Sequence, residues 1–539
     1  MQENSHKNQG QNHEAQDHKN VVMNALGMAL GTMTSRVLGL VRESAFAALF
    51  DKQITDAFAV AFRLPNLFRR LLGEGSLSVS FIPVFVESRL DENPARATNL
   101  VNSFYTLLLL FLSVLTTLGI VFAQPILELW LNVEYVQDIE KFALTVRMAQ
   151  IMFGFIFLMS TYAFFMGVLN ALGSFALAAL APTLWNIAMV ISTLLPTRWF
   201  SSPGDGLAMG VMVGGVLQTA VLIPSLRRKG YFPKLSLDFK NPDVNKVLRN
   251  MVPGLFGMGL LQFTTIVNLS FLSRLNEGSI SFVNYVDRLI ELPLSLISVS
   301  LGTALLPTLS GMWSRGEKER MRDTSQFYLR VNLFVCIPAA LGLMSLAYPI
   351  IELLFLRGRF QQADALATAQ ILQAYAWIMV FTSSVRVLTP SFYAIKNTTY
   401  PAVVSAICLT VHIFLAPILM EKYQLIGLLS STTTSAALNF LLLILAYPRW
   451  IGRFDFLKLM GQVTKFFIAG FVLYFSSREV QILMRELLGS SFAAKTISLF
   501  MAISVGAGIY MLLAYVFKFE EFSTVFGTLI SKIRRRLKF

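Results

Sequence analysis

Five arginines lie inside the first two apolar segments of the chain: Arg36, Arg42, Arg63, Arg69 and Arg70. Arg36 falls near the middle of its segment, where a charge facing lipid would cost at least about 3 kcal/mol. A chain keeps such a residue when it faces a wet cavity and meets an anion there. A guanidinium presents a planar fork of donors that fits phosphate oxygens and does not lose its charge. Several arginines converging on one cavity therefore predict a site for an anion such as a pyrophosphate.

A different role is open for some of these arginines. Arg69 and Arg70 can extend along the helix to reach lipid headgroups, as arginines near helix ends often do. Arg36 is too central in its segment for that. The sequence therefore favours Arg36 as a cavity residue and leaves two readings for the Arg69–Arg70 pair.

Acidic residues accompany the arginines, and they too have two possible roles. Glu43, Asp56, Glu74 and Asp287 lie in the same apolar segments or a later one. They can pair with the arginines and offset the cost of burying them. Alternatively, Asp56 and Glu74, near opposite ends of one segment, form gates on opposite sides of the membrane.

Composition predicts a polytopic membrane protein. The 539 residues are 55% hydrophobic and 14% charged, and the mean hydropathy is +0.60. A soluble domain of this size could not hide that much apolar surface. The net charge of +14 comes mostly from Lys and Arg between apolar segments, which indicates membrane topology and anionic headgroups rather than nucleic acid.

Enzyme signatures are missing from the sequence. It has no Gly-rich phosphate loop, no His cluster with metal-ligand spacing and no nucleophile–His arrangement. Cys336 and Cys408 are far apart in apolar segments and predict no disulfide framework. His412 stands alone in an apolar helix, where packing or a hydrogen bond explains it better than a ligand role.

Fourteen apolar windows are long enough to span a membrane. They lie near 22–50, 54–88, 97–123, 140–170, 173–195, 205–226, 245–272, 280–306, 326–348, 365–394, 400–419, 424–447, 462–480 and 494–517. The second and fourth exceed one span, so we expect them to bend or to extend beyond the lipid. The sequence thus predicts an all-α protein with fourteen transmembrane helices.

The distribution of basic residues predicts the orientation. Segments 227–249, 314–330 and 532–538 carry seven, five and five Lys or Arg. They fall on one side if there are fourteen spans, which places both termini in the cytoplasm. The loop at 356–360, LRGRF, is an exception because it carries two arginines on the outside.

A repeat with a period near 220 residues predicts two lobes. AQI occurs at 149–151 and 369–371, and both the second and the eighth segments hold Leu-Pro followed by a later proline. Such repeats place the substrate path between pseudo-symmetric halves. The predicted organisation is a disordered tail at 1–20, an N-lobe at 21–226, a cytoplasmic linker at 227–244, a C-lobe at 245–447, two extra helices at 448–517 and a basic tail at 518–539.

The eighth segment adds a second charged group. NYVDRLIELPLSL places Asp287, Arg288 and Glu291 within about one turn of one another. Under the repeat, Arg288 lies in the helix opposite that of Arg69, so both lobes would reach one ligand. Asp287 and Glu291 are candidates for ion pairing or gating.

Two blocks of sequence resemble a known family. TSRVLGLVRESAFAALF…TDAFAVAFRLPNLFRRLLGEGSLSVSFIPVF (34–85) and YVDRLIELPLSLISVSLGTALLP (285–307) are similar to signatures of the MurJ/MviN family, the lipid II flippases. The resemblance covers about 22–517. It implies the fold of the multidrug/oligosaccharidyl-lipid/polysaccharide exporter superfamily, with two six-helix lobes and two extra helices that form a groove for a polyprenyl tail.

The resemblance also implies roles for individual residues. The positions that the family uses in its central cavity or gates correspond to Ser35, Arg36, Arg42, Asp56, Asn66, Arg69, Arg70, Glu74 and Arg288. Glu43 stands where some members carry Asp, so the charge is kept. Some members bind a monovalent cation between helices seven and eleven. Here those helices offer Asn268 and His412 without an acid, so the sequence does not favour a sodium site, and no other cofactor or metal is expected.

The resemblance implies a flippase of a bacterial inner membrane that leaves its substrate chemically unchanged. The substrate would be lipid II, undecaprenyl-pyrophosphate linked to MurNAc(GlcNAc)-pentapeptide. Membrane lipids and cell-wall synthesis proteins are further candidate partners. The alternatives are an exporter of O-antigen precursors or drugs from the same superfamily, and a membrane enzyme that uses a polyprenyl phosphate. A drug exporter should line its cavity with acids and aromatics, whereas this chain offers arginines.

The last two helices carry an aromatic stripe. Phe466, Phe467, Phe471 and Phe475 follow helical spacing. The stripe predicts either a border of the lipid-tail groove or ordinary lipid-facing surface, since aromatic residues are common in spanning helices.

Overall fold

The computed structural model describes residues 34–71, 77–93, 95–174, 176–195, 197–238, 240–294 and 300–523. Within these ranges the chain is almost entirely α-helical and contains no β-strand, which confirms the predicted all-α class. The chain divides into two compact units, Met1–Ile280 and Ser281–Phe539. The division lies at the start of the predicted eighth segment, so the helix that follows the 227–244 linker is part of the first unit.

The first unit contains helices α1 to α11. They are α1 (34–49), α2 (Lys52–Leu71), α3 (Leu77–Arg89), α4 (Ala95–Val121), α5 (Ala123–Trp130), α6 (Val133–Gln137), α7 (Ile139–Ala171), α8 (Ala176–Leu194), α9 (Pro203–Ala220), α10 (Ile223–Arg228) and α11 (Pro242–Leu272). The second unit begins within α12 (Ser279–Leu294). It continues with α13 (Ser300–Ser314), α14 (Lys318–Ser345), α15 (Ala347–Phe355), α16 (Gln362–Tyr375), α17 (Ile378–Ala394), α18 (Thr399–Trp450), α19 (Phe456–Leu488) and α20 (Phe492–Val516).

The helices coincide with the fourteen predicted segments as far as the structure describes them. The second segment forms α2 and α3, the eighth α12 and α13, and the tenth α16 and α17. The eleventh and twelfth run together as α18, which reverses at Gln424 with φ 52° and ψ −129°. In the described part of the chain, eight helical stretches are long and apolar enough to cross a membrane: Ala95–Val121, Ile139–Ala171, Pro203–Arg228, Lys318–Ser345, Gln362–Ala394, Thr399–Trp450, Phe456–Leu488 and Phe492–Val516.

Local sequence explains where the helices near the candidate site begin. The Asp138 carboxylate accepts the Lys141 N–H at 3.2 Å and caps α7. The Asn241 side chain accepts the Asp243 N–H at 2.9 Å, and Pro242 occupies the first position of α11. A side-chain cap satisfies an otherwise orphan N–H, and proline has none to lose at that position.

Candidate functional site

The side chain of Arg42 ties α1 to α8. Its Nη1 donates to Oδ1 of Asn186 at 3.1 Å. The Asn186 amide then donates to the Ser35 backbone carbonyl at 3.0 Å and lies 3.1 Å from the Ser35 hydroxyl. One asparagine therefore fixes two successive turns of α1, the turn of Ser35 and Arg36 and the turn of Arg42.

Arg42 is buried, with only 4% of the residue exposed. Its second terminal nitrogen donates to the neighbouring Glu43 carboxylate. Its guanidinium lies 4.7 Å from the centroid of Trp185 and 5.8 Å from that of Phe46. A buried cation needs such partners because its desolvation is costly, and an aromatic face attracts it further. In this conformation Arg42 is engaged by the protein, so its predicted contact with substrate stays a prediction.

Aromatic side chains pack around Trp185, which contacts the guanidinium of Arg42. Phe62 of α2 stacks on Phe58 at 5.7 Å and on Trp185 at 5.8 Å, and it also contacts Phe155 of α7 at 5.5 Å. Gly214 of α9 lies so close that a Cβ there would be 2.6 Å from Trp185 Cδ1. The close approach of α9 therefore holds the indole of Trp185 against Arg42.

The other predicted arginines of the first unit are less enclosed than Arg42. Arg36, Arg69 and Arg70 are half-buried. The Arg69 Nε donates to the Asn66 side chain at 2.8 Å, one turn earlier on α2, so these two predicted residues lie together. Glu74, predicted as an inner gate, lies outside the described residues.

Asp56 anchors the opposite end of α2. Its carboxylate is 1% exposed, accepts the Gly278 N–H at 2.8 Å and lies 3.4 Å from Lys141 Nζ on α7. The ammonium of Lys141 is also 4.8 Å from the ring centroid of Tyr135. Asp56 therefore holds the turn that follows α11 against α2 and α7.

The second charged group of the sequence lies in the second unit. On α12, Arg288 Nη1 donates to Glu291 at 3.1 Å, one turn later. Both side chains are almost half exposed, at 45% and 47%, and Asp287 is half-buried. Arg288 thus keeps accessible charge on a helix that is otherwise largely buried.

The two residues predicted as poor cation ligands have ordinary surroundings. His412 is buried, and its Nδ1 lies 2.9 Å from the Ser431 hydroxyl across the α18 turn. Asn268 is half-buried on α11. Over the described ranges, no three His, Cys, Asp or Glu side chains come together as a metal site would require.

The predicted aromatic stripe of α19 is divided between core and surface. Phe466 is fully buried and packs on Phe334 at 5.6 Å, and Phe467 stacks on Trp377 at 5.6 Å. Phe471 and Phe475 are 49% and 57% exposed. Only these last two are placed to border a groove or face lipid.

Ion pairs connect the ends of the last two helices to α14 and α15. At one end, Glu352 of α15 accepts two hydrogen bonds from Arg485 of α19, at 2.5 and 2.6 Å, and pairs with Lys495 of α20 at 3.0 Å. At the other, Arg330 of α14 pairs with Glu520 at 2.9 Å. Helices α19 and α20 are therefore held against α14 and α15.

Arg357 explains part of the basic loop at 356–360. Its guanidinium donates to the carbonyls of Leu353 and Leu354 at 2.7 and 2.9 Å. These carbonyls lie in the last turn of α15. The cation also complements the negative end of the helix dipole, so this charge serves local structure rather than topology.

Sequence reasoning missed Asn186, Trp185 and Lys141. Asn186 was visible as an isolated amide in an apolar segment, and such polar residues in spanning helices usually bond to a neighbour. Lys141 was visible as a cation at the start of the fourth segment. The sequence does not identify their partners, because Arg42 is 144 residues from Asn186 and Asp56 is 85 residues from Lys141.

Comparison with known proteins places this architecture. A family model described as "Lipid II flippase MurJ" matches residues 46–493. A probable lipid II flippase of Bdellovibrio bacteriovorus is 49% identical over 519 residues, which cover 95% of this chain and 98% of that protein. The lipid II flippase of Burkholderia cenocepacia is 35% identical over 444 residues, with 80% and 86% covered.

Solved structures agree with the sequence relatives. A structure of lipid II flippase MurJ in an inward closed conformation superposes with a TM-score of 0.75 and 25% identity, covering 91% of this chain and 98% of that one. An inward-facing multidrug transporter of the MATE family shares the fold, with a TM-score of 0.65, 13% identity and coverage of 82% and 98%. Because the family model and the relatives span most of its length, the chain belongs to the MurJ family of lipid II flippases and is a multi-pass membrane transporter rather than an enzyme.

Proposed function

We propose that the chain moves lipid II from the cytoplasmic to the periplasmic leaflet of a bacterial inner membrane by alternating access, with both termini in the cytoplasm. The observation that carries the proposal is the arginine group of α1 and α2, namely Arg36, Arg42, Arg69 and Arg70, in a protein of this family. Its charge complements a pyrophosphate, and no covalent step is required. The rocking of two halves around a central site is a common solution in transporters built from repeats.

The half-buried residues of the group contact the headgroup in this proposal. Arg36, Arg69 and Arg70 supply the charged donors, and Ser35 and Asn66 add polar ones. Arg42 acts by positioning, because Asn186 and Glu43 hold it where it fixes the turn that carries Arg36. Arg288 is proposed as a further headgroup-binding guanidinium, with Asp287 and Glu291 setting its orientation.

Asp56 is the proposed outer gate. The support is its burial together with its bond to the Gly278 N–H and its pairing with Lys141. Gly278 directly precedes α12, so release of its N–H from Asp56 would free the start of that helix as the first step of opening. Glu74 is the proposed counterpart at the inner end of the same segment.

The polyprenyl tail remains in lipid or against the last two helices. The exposed Phe471 and Phe475 offer apolar surface for it, and the ion pairs of Glu352 and Arg330 hold α19 and α20 in place. Cell-wall synthesis proteins are proposed as partners only in the sense that they supply and consume the substrate.

Depletion in the parent bacterium tests the proposal. Loss of the protein should block peptidoglycan synthesis and accumulate lipid II in the inner leaflet, and re-expression should clear it. Accumulation of an O-antigen precursor, with lipid II unchanged, would instead favour the polysaccharide-exporter alternative.

A further inference from the structure

The chain between α10 and α11 is non-helical over residues 231–238. It begins against aromatic side chains, since Tyr231 packs edge-on against Phe85 at 5.2 Å and Phe232 contacts Phe165 at 6.3 Å. It returns to α11, whose first turn holds Asp243. We call residues 231–238 the dipping loop.

Two backbone amides of the dipping loop bond to side chains of α4. The Lys234 N–H donates to Asn102 Oδ1 at 2.8 Å, and the Ser236 N–H donates to Thr106 Oγ1 at 2.9 Å. The Ser236 hydroxyl also lies 3.5 Å from that of Ser103. Successive bonds therefore lead the loop along α4 from Asn102 toward Thr106, away from the start of the helix.

The contacts on α4 give the depth that the loop reaches. Arg96, in the first turn of α4, forms a double ion pair with Asp243 of α11 at 2.7 and 2.8 Å and a further pair with Asp91 at 2.5 Å. This charged cluster marks a level in contact with water or headgroups. Thr106 lies ten residues further, about 15 Å along the helix axis at a rise of about 1.5 Å per residue. From there to Val121 the helix carries no charged side chain.

Two apolar side chains of the loop are exposed. Leu235 and Leu237 alternate with the residues bonded to α4 and are 78% and 72% exposed. Two large apolar side chains exposed at the level where an apolar helix surface begins fit acyl chains better than water. Basic residues precede the loop at 227–229, and Lys234 and Asp238 are exposed beside the two leucines. The basic residues favour anionic headgroups.

We propose that the dipping loop enters the cytoplasmic leaflet and inserts Leu235 and Leu237 among the acyl chains, while Asn102 and Thr106 of α4 satisfy its backbone. The loop is then a lipid-anchored connection into α11 rather than a free cytoplasmic linker. The assignment to the cytoplasmic leaflet rests on the proposed topology, whereas insertion of the two leucines requires only a membrane around α4 and does not depend on which substrate is transported.

Site-directed spin labelling in liposomes of phosphatidylethanolamine and phosphatidylglycerol tests the loop. Single cysteines are introduced as Leu235→Cys and Leu237→Cys after the two buried native cysteines are replaced by alanine. Val114→Cys, on the exposed face of α4, is the lipid reference, and Lys240→Cys is the aqueous reference. Collision rates with oxygen and with a water-soluble nickel chelate report the depth of each label.

Labels at 235 and 237 should favour oxygen over the nickel chelate several-fold more than the label at 240, in the direction of the label at 114. Ratios equal to that at 240 would overturn the proposal. Protection from both reagents would also overturn it, because it indicates burial against protein. Thr106→Val should shift the 235 and 237 labels toward the aqueous value, and an unchanged depth would refute the role of α4 in holding the loop.

Discussion

Asn186 of α8 bonds at once to the guanidinium of Arg42 and to the backbone carbonyl of Ser35, at 3.1 and 3.0 Å. The amide spans two turns of α1 from a helix that lies far away in sequence. An asparagine can accept and donate in this way because its side chain has both a carbonyl and an amino group. The relationship explains how the chain keeps a buried arginine and presents the neighbouring Arg36 on a fixed turn.

Removing this amide should weaken both structure and transport. Asn186→Leu keeps the branched shape of the side chain but removes the acceptor for a buried charge, which costs about 2 kcal/mol for a hydrogen bond to a charged group. We expect a lower midpoint of thermal unfolding in detergent and reduced complementation in a depletion strain. Thr193→Val on the same helix is the matched control, because its hydroxyl bonds only to the carbonyl of Met189 at 2.6 Å. Equal behaviour of the two variants would contradict the positioning role.

The arginines should differ in how far lysine replaces them. Ala at Arg36, Arg42, Arg69 or Arg288 should abolish complementation while the protein still inserts. Lysine keeps the charge but not the fork, so it should rescue partly at half-buried Arg36 and poorly at Arg42, whose two terminal nitrogens bond to different partners. Growth of the alanine variant and of the lysine variant at each of the four positions, at matched expression, measures the difference. Normal growth with Arg42→Ala and Arg288→Ala would refute the assignment.

Asp56 and Lys141 should act as one unit in the outer gate. Asp56→Asn leaves Lys141 without its carboxylate and weakens the bond to the Gly278 N–H, so it should favour the state opened to the outside. Lys141→Gln should shift the balance the same way but less, since the Gly278 bond remains. Cysteine accessibility from the periplasmic side at Ala59→Cys of α2 reports the shift. Accessibility identical to that of the parent in both variants would count against the gate.

The helical segments were predictable from the sequence because apolar length is a local signal. The arginines and Asp56 could be singled out as charges in apolar surroundings, and their roles stay predictions. The partners of these charged residues were not predictable. Asn186, Trp185 and Lys141 meet their partners only after α8 and α7 fold against α1 and α2, and residue type alone does not select among many polar candidates. The stripe of α19 shows the same limit, since helical spacing could not tell that Phe466 turns inward while Phe471 turns outward.

The ion pair between Arg96 and Asp243 should respond to acid. The hydrogen bond from Arg96 lowers the pKa of the Asp243 carboxyl below its ordinary value. A lowered pKa contributes stability that is present above the pKa of the unfolded chain and is lost as pH falls through the folded value. As the pH falls below about 4, the thermal unfolding midpoint of the parent should therefore decrease more steeply than that of Asp243→Asn. Parallel pH profiles for the two proteins would show that the pair does not contribute.

The exposed phenylalanines of α19 should lie beside the lipid tail. A photoreactive residue at Phe471 or Phe475 should crosslink to undecaprenyl lipids more than one at Ile191, which is 54% exposed on α8. The reason is that a groove concentrates a long tail, whereas ordinary surface samples all lipids equally. Mass spectrometry of the adducts gives the comparison. Labelling no stronger than at Ile191 would leave only a lipid-facing surface.

Transport by the purified protein tests the central claim most directly. Proteoliposomes receive fluorescent lipid II in one leaflet, and a membrane-impermeant quencher reports its appearance in the other. The parent protein should move chemically unchanged lipid II across the bilayer, Arg36→Ala should not, and Thr193→Val should match the parent. Equal movement by the parent, Arg36→Ala and protein-free liposomes, with all proteins shown to be folded and inserted, would contradict the account.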